Sequence, residues 1–326
     1  MRVVGGREGV IGRGALGEVR RGIYRDSEVA LKRLHLLRTD AAWVAEGGVR
    51  LEPAERAHVL RSFIKECELL STLSHPHIVL FVGIVVDATP RAEPLFLALQ
   101  YIRSGSLEGL LYEERHAALR SDEGGRLPLR TQLVLHVGVF RALAHLAALN
   151  VLHRDVKPAN ILVVVEGGRL AKSLLADFGE AKEIKRTLTA RGTMAGTPVY
   201  MAPEMKEADD LKGPKADVFS AGVVMAEVSS GQAPRPGPRE VRRGARGRRE
   251  VVPEDERRAD DIGAMRNPEL EPIVRLCVVD FDEERADAAA VLVELEGLQA
   301  RQRGGEDEGG GEGEGEPRTM PGQLLR

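Results

Sequence analysis

Between Leu127 and Asn150 the apolar residues Leu133, Val134, Val137, Phe140, Leu143, Ala144 and Leu146 recur every three or four positions, the spacing that keeps one face of an α-helix buried. The first hundred residues have a different rhythm. β-branched residues alternate with others around Val10-Ile11, Glu18-Val19 and Val29-Ala30-Leu31, and glycines interrupt them, which predicts short strands joined by turns. Phe63 to Leu70 is the exception there, with helical spacing and Phe63, Cys67 and Leu70 on an inward face. The pattern therefore predicts an α+β chain of two lobes. A small antiparallel sheet with one helix occupies about residues 1–102, and a larger, mainly helical part follows over 103–300.

Two stretches break the pattern. Residues 235–249 hold seven arginines among prolines and glycines and read as an exposed loop. Residues 304–316 contain only Gly, Glu and Asp, too little apolar surface to offset chain entropy, so a disordered Gly/Glu-rich tail is expected over 301–326. No internal repeat is visible.

Composition narrows the classes. With 326 residues, 43% hydrophobic and 30% charged, the chain can bury a substantial core. A formal net charge of −3 gives no bias toward nucleic acid or anionic lipid, so neither is expected as a partner. Cys67 and Cys277 are the only cysteines, which excludes a disulfide framework and suits a reducing compartment. The first residues lack the apolar centre of a leader, and the longest apolar run, Ile78 to Val86, is too short to cross a bilayer. A cytoplasmic or nucleocytoplasmic protein without a membrane segment is expected.

Candidate chemistry begins at Gly12-Arg13-Gly14-Ala15-Leu16-Gly17-Glu18-Val19, a G-x-G-x-x-G-x-V arrangement between two predicted strands. Glycines at Gly12, Gly14 and Gly17 let backbone N–H groups approach phosphate oxygens without side-chain obstruction. The motif alone is weak, since a plain hairpin turn reads the same way. Gly17 leads into a second strand and not a helix, which argues against a dinucleotide site. Fifteen residues on, Lys32 stands on the apolar strand Val29-Ala30-Leu31. A lysine there is costly unless an anion faces it, and Glu66, beside the inward face of the Phe63–Leu70 helix, is the candidate.

Three further segments stand in order: His153-Arg154-Asp155-Val156-Lys157-Pro158-Ala159-Asn160 before the apolar strand Ile161–Val165, then Asp177-Phe178-Gly179, then Ala202-Pro203-Glu204. Together with the glycine loop they resemble the eukaryotic protein kinase signature, over about Val10 to Leu298. The resemblance implies ATP and Mg2+ as cofactors and transfer of the γ-phosphoryl to a protein hydroxyl. It makes Asp155 the acceptor of the substrate hydroxyl proton, Lys157 the residue steadying the phosphoryl group, and Asn160 and Asp177 the magnesium ligands. Lys32, held by Glu66, would fix the phosphates. Ile11, Val19, Ala30, Leu99 and Leu162 would enclose the adenine, with backbone groups of Gln100 and Ile102 bonding it. His153, Phe178, Leu70 and Phe81 match a stack aligning the lobes, Glu204 and Arg285 a buried ion pair, and Asp217 an anchor for the loop around Asp155.

Lys157 together with Gly196-Thr197-Pro198-Val199-Tyr200 is the serine/threonine form of the pattern, so serine or threonine in a protein is the expected acceptor. Gly105-Ser106-Leu107 and the region around Cys277 resemble the tyrosine-kinase-like branch. Arg154 favours a loop that presents a phosphate, with Thr193 the expected phosphorylation site, by an upstream kinase or by the chain itself, and Thr187 and Thr189 as second choices. Departures from the pattern are Gln100 where an acid is common, Phe219 for tryptophan, Ala286 for proline, a long Arg33–Arg61 connection read as an added loop, and the arginine-rich stretch. Two rival readings stay open. One is an inactive ATP-binding scaffold, against which Lys32, Glu66, Asp155, Asn160 and Asp177 are all present. The other is a small-molecule kinase, against which stands the intact Ala202-Pro203-Glu204 segment.

Overall fold

The computed structural model describes residues 2–3, 9–14, 17–34, 52–86, 95–120, 126–183, 197–206, 213–234, 241–243, 249–251 and 262–307. In the first lobe six strands form one antiparallel sheet. They are β1 (Arg2–Val3), β2 (Val10–Gly14), β3 (Gly17–Tyr24), β4 (Ser27–Leu34), β5 (Phe81–Val86) and β6 (Leu95–Gln100). Their order is β1-β3-β4-β6-β5, with β2 also paired to β3. The β3–β4 hairpin turns on Arg25 and Asp26, both at positive φ, as a tight two-residue turn between twisted strands requires. Its register sets Val19 opposite Lys32, and β6 sets Leu99 opposite Ala30, so four predicted pocket residues meet on adjoining strands.

Helix α1 (Pro53–Thr72) opens with proline at its first position and with the Glu55 carboxylate accepting the Glu52 N–H at 2.9 Å. It therefore takes in Pro53 to Arg61, part of the connection read as an added loop; residues 35–51 lie outside the described residues. Phe63, Cys67 and Leu70 are buried, as the spacing predicts, and Glu66 beside them is buried too. The lobes join at residues 100–104. A second link lies alongside, where Val79 N–H donates to Leu175 O (2.9 Å) and Leu175 N–H to His77 O (2.8 Å).

The second lobe is built on α3 (Leu129–Ala148), which follows the short α2 (Leu107–Tyr112). Leu133, Leu135, Phe140, Ala142 and Leu146 of α3 have no solvent contact. Each large side chain so buried contributes about 1.5–3 kcal/mol. By length and apolar content α3 is the one described helix that passes as a candidate membrane span, but it is the core helix, packed against β9 and α6. Beyond it come β7 (Val151–Leu152), the hairpin β8 (Ile161–Glu166) and β9 (Arg169–Leu175), and β10 (Lys182–Glu183), which pairs with β7. Helices α4 (Lys215–Ser230), α5 (Glu271–Cys277) and α6 (Ala288–Asp307) complete the lobe.

Two differences from the sequence reading follow. The arginine-rich stretch holds a short antiparallel hairpin, β11 (Val241–Arg243) on β12 (Arg249–Val251), with Val241 opposite Val251 in the backbone register; valine is a residue type that favours strands. And α6 runs to Asp307, past the boundary drawn at residue 300, since no proline stops it. Residues 308–326 lie outside the described residues.

Candidate active site

The loop after β7 is fixed from below. Asp217, buried near the start of α4, accepts the His153 N–H at 2.6 Å and the Arg154 N–H at 2.8 Å. Burial pushes its carboxyl above the usual range, offset in part by His153 and these N–H donors. Arg154 sits at φ 72°, a conformation costly outside glycine and held here by that clamp. The His153 ring meets Phe178 edge-on at 4.8 Å and its Nε2 pairs with Ala176 O at 3.0 Å, tying the loop to the segment that carries Asp177. Leu70, His153 and Phe178 are buried and Phe81 half-buried, a burial that ordinary core packing and a lobe-aligning stack share.

Asp155 is the centre of a compact polar cluster. Lys157 Nζ lies 2.7 Å from its Oδ2, and Asn160 Nδ2 donates to both its Oδ2 and its backbone oxygen at 2.8 Å. The Thr197 hydroxyl donates to Asp155 Oδ1 at 3.1 Å and accepts from Lys157 Nζ at 2.9 Å. The carboxylate is thus oriented from three sides.

A second cluster gathers on Lys32. Lys32 Nζ lies 2.7 Å from Glu66 Oε1 and 2.7 Å from Asp177 Oδ1. Burial alone would lower the Lys32 pKa, but the two carboxylates outweigh it and hold the ammonium charged far into alkaline pH. Burial raises Glu66 above the usual carboxylate range despite Lys32, whereas in Asp177 the pull of Lys32 outweighs burial and keeps the carboxyl low. Asp177 is half-exposed and at φ 60°. A Cβ on Gly179 would stand in ordinary van der Waals contact with all three charged groups, at 3.4 Å from Asp177 Oδ1, 3.5 Å from Lys32 Nζ and 3.7 Å from Glu66 Oε2.

The residues expected to hold a divalent ion fit one by their chemistry. Asn160 spends its amide nitrogen on Asp155, which turns its oxygen into the available donor, and Asp177 keeps a second carboxylate oxygen beyond the one on Lys32. Two hard oxygen donors suit Mg2+, which takes its remaining ligands from phosphate and water. Among the described residues no group of three or more His, Cys, Asp and Glu side chains could hold an ion alone.

The residues expected to enclose the adenine lie on the first-lobe strands β2, β3, β4 and β6 and on β8. Gly12 pairs with Val19 and Gly14 with Gly17 across the β2–β3 hairpin, whose tip, residues 15–16, lies outside the described residues. Ile11 is exposed, Val19, Ala30 and Leu162 are half-buried, and Leu99 is buried at the back. Gln100 N–H is committed to Leu80 O (2.9 Å) and Ile102 O accepts from Gly105 N–H (3.2 Å). Leu162 is bridged to Ser106 beneath the connector.

This geometry agrees with a comparison of the whole chain: residues 6–293 match the model of the protein kinase domain. The chain belongs to the protein kinase family. It is 31% identical over 229 residues to the dual specificity protein kinase shkB of Dictyostelium discoideum, covering 70% of this chain and 30% of that one. It is 33% identical over 192 residues to the serine/threonine-protein kinase AfsK of Streptomyces griseus (59% of this chain, 21% of that one). Over 226 residues it is 30% identical to the serine/threonine-protein kinase CTR1 of Arabidopsis thaliana (69% and 24%). The chain thus spans less than a third of the length of these curated relatives.

Two further kinase-fold contacts hold the segment beyond Thr197. Arg285, fully buried, forks onto Glu204 at 2.6 and 3.1 Å, as the motif implies, and also donates to Val279 O and Lys215 O over the face of Phe219. The sequence reading missed the other. Buried Glu227 of α4 takes the Tyr200 hydroxyl at 2.9 Å and the Tyr112 hydroxyl at 2.5 Å. Its one trace in the sequence is a carboxylate set in the apolar run Val223–Val228, with no spaced partner to give it a role. Thr187, Thr189 and Thr193 lie outside the described residues.

Proposed function

We propose that this chain transfers the γ-phosphoryl of ATP to serine or threonine hydroxyls of proteins. The observation that supports the reading is that Asp155, Lys157, Asn160 and Thr197 are already bonded into one cluster and Lys32, Glu66 and Asp177 into another. In this reading a substrate hydroxyl replaces the Thr197 hydroxyl on Asp155 Oδ1; as its oxygen bonds the γ-phosphorus, the bond from that phosphorus to the β–γ bridging oxygen breaks, ADP departs, and Asp155 accepts the hydroxyl proton. Lys157 stabilises the charge on the transferring group, and Lys32, turned by Glu66, holds the phosphates behind it. The glycines at 12, 14 and 17 admit backbone N–H groups to the phosphates. The base lies between Val19, Ala30 and Leu162 under Ile11, reaching Leu99 and bonding the Gln100 carbonyl and the Ile102 N–H. Mg2+, held by Asn160 and Asp177, supplies charge neutralisation when bound. Phosphorylation at Thr193 would add a phosphate that Arg154 can engage and set the loop that carries it in its active form. Undiminished activity of Thr193→Ala after pre-incubation with ATP would contradict that step.

The test is transfer of label from ATP with magnesium to a generic protein and to the chain itself, followed by phosphoamino-acid analysis. Label on serine or threonine is expected. ATP binding without transfer would favour the scaffold reading, and transfer to a small alcohol or amine but to no peptide would favour a small-molecule kinase.

A further inference from the structure

Glu227 is a carboxylate only 3% exposed on a helix buried on every side, where an unpaired charge would be prohibitive. Its two oxygens are each taken by a phenol. Tyr200 reaches Oε2 from the turn that begins at Thr197, and Tyr112 reaches Oε1 from the end of α2. The Tyr112 bond, at 2.5 Å, is in the range of a charge-assisted hydrogen bond. Yet Tyr112 is 49% exposed, so little of its ring is needed for packing; its hydroxyl is the group the structure uses.

These contacts continue to the chemistry. Tyr200 N–H donates to Thr197 O at 3.0 Å, closing the turn, and the Thr197 hydroxyl contacts Asp155 and Lys157. At the other end α2 follows directly on the connector, with Ser106 capping it by accepting the Gly109 N–H and bridging to Leu162. We propose that Tyr112 is a positioning residue for the protein substrate: through Glu227 it ties α2 to the Thr197–Tyr200 turn and sets the height of that turn against Asp155. None of the residues of this tether, Tyr112, Glu227 and Tyr200, is among those expected around the nucleotide. The inference rests on the protein-kinase reading of the cleft.

The test is Tyr112→Phe, which removes one oxygen and keeps the ring, with Tyr24→Phe on the distant β3–β4 hairpin as control. Steady-state transfer to a serine/threonine peptide should show its KM raised about three- to ten-fold, the loss of part of one charged hydrogen bond. The KM for ATP should stay at the wild-type value, and amide exchange across residues 197–205 should quicken. In a Glu227→Gln background the same change should add little, because its partner is already altered. An unchanged peptide KM would overturn the proposal, as would an ATP KM that rises in step with it. If the wild-type chain transfers no phosphate, the functional reading fails, and exchange alone decides the tether: rates at 197–205 unaffected by Tyr112→Phe would overturn it.

Discussion

At the scale of single residues, the Lys32–Glu66 pair and the Asp217 clamp show charges placed where burial makes them expensive and geometry makes them useful. Lys32→Met strands Glu66 in the interior and is expected to lower unfolding stability by about 2–3 kcal/mol in urea melts. Adding Glu66→Leu should restore most of that loss while transfer activity stays absent, which separates the pair's role in folding from its role with phosphates. His136 is the opposite case, a fully buried imidazole pushed down to about 3 by burial alone, with Nε2 unbonded among the described residues. Its folded pKa lies below the ordinary 6.5, so the stability it allows is complete above 6.5 and declines as pH falls toward 3. Thermal midpoints measured across that window should fall with acid, and His136→Leu should make the fall shallower; an unaltered slope would contradict the assignment. The motif residues were legible because phosphoryl transfer needs particular groups at particular spacings, and the structure brings them into two clusters, Lys32 with Glu66 and Asp177, and Asp155 with Lys157 and Asn160. Glu227 and Tyr112 were not, since a lone glutamate and a lone tyrosine have no spacing to read.

Elements were legible in proportion to how one-sided they are. α3 presents an apolar stripe and its expected limits, Leu127 and Asn150, differ from Leu129 and Ala148 by only two residues at each end. α4 is buried from Ala216 to Ser230, so it has no polar face to set a period, and only its small residues and the closing Gly231 at φ 71° mark it. Gly222 makes that burial possible, because a Cβ there would overlap Cys277 Cβ and crowd Val278 Cγ2 at 2.9 Å on the α5 side. Gly222→Ala should therefore destabilise by about 1–3 kcal/mol in thermal or urea unfolding, although alanine favours a helix by about 1 kcal/mol over glycine. A stabilised variant would mean that α4 and α5 can part at little cost. The hairpin β11–β12 escaped the sequence reading for a different reason: three-residue strands among arginines carry too few alternating positions to register.

For the whole molecule, the two lobes meet along the connector at 100–104 and along the His77–Val79 contact with Leu175, and the cleft between them gathers groups from β3, β4, α1, the loop after β7 and the segment after β9. The Arg285–Glu204 pair anchors the far side of that cleft. Arg285→Ala leaves Glu204 and several carbonyls without their donor and should cost about 3–5 kcal/mol of stability, with activity lost at the temperature where the variant melts. The central claim is that the assembled cleft performs phosphoryl transfer and does more than hold nucleotide. Its most direct test compares wild type with Asp155→Asn for ATP affinity and for label transfer to protein, side by side. Equal affinity with transfer reduced by about 10²-fold or more is the predicted result. Equal transfer by the two proteins, or none by either, would contradict it.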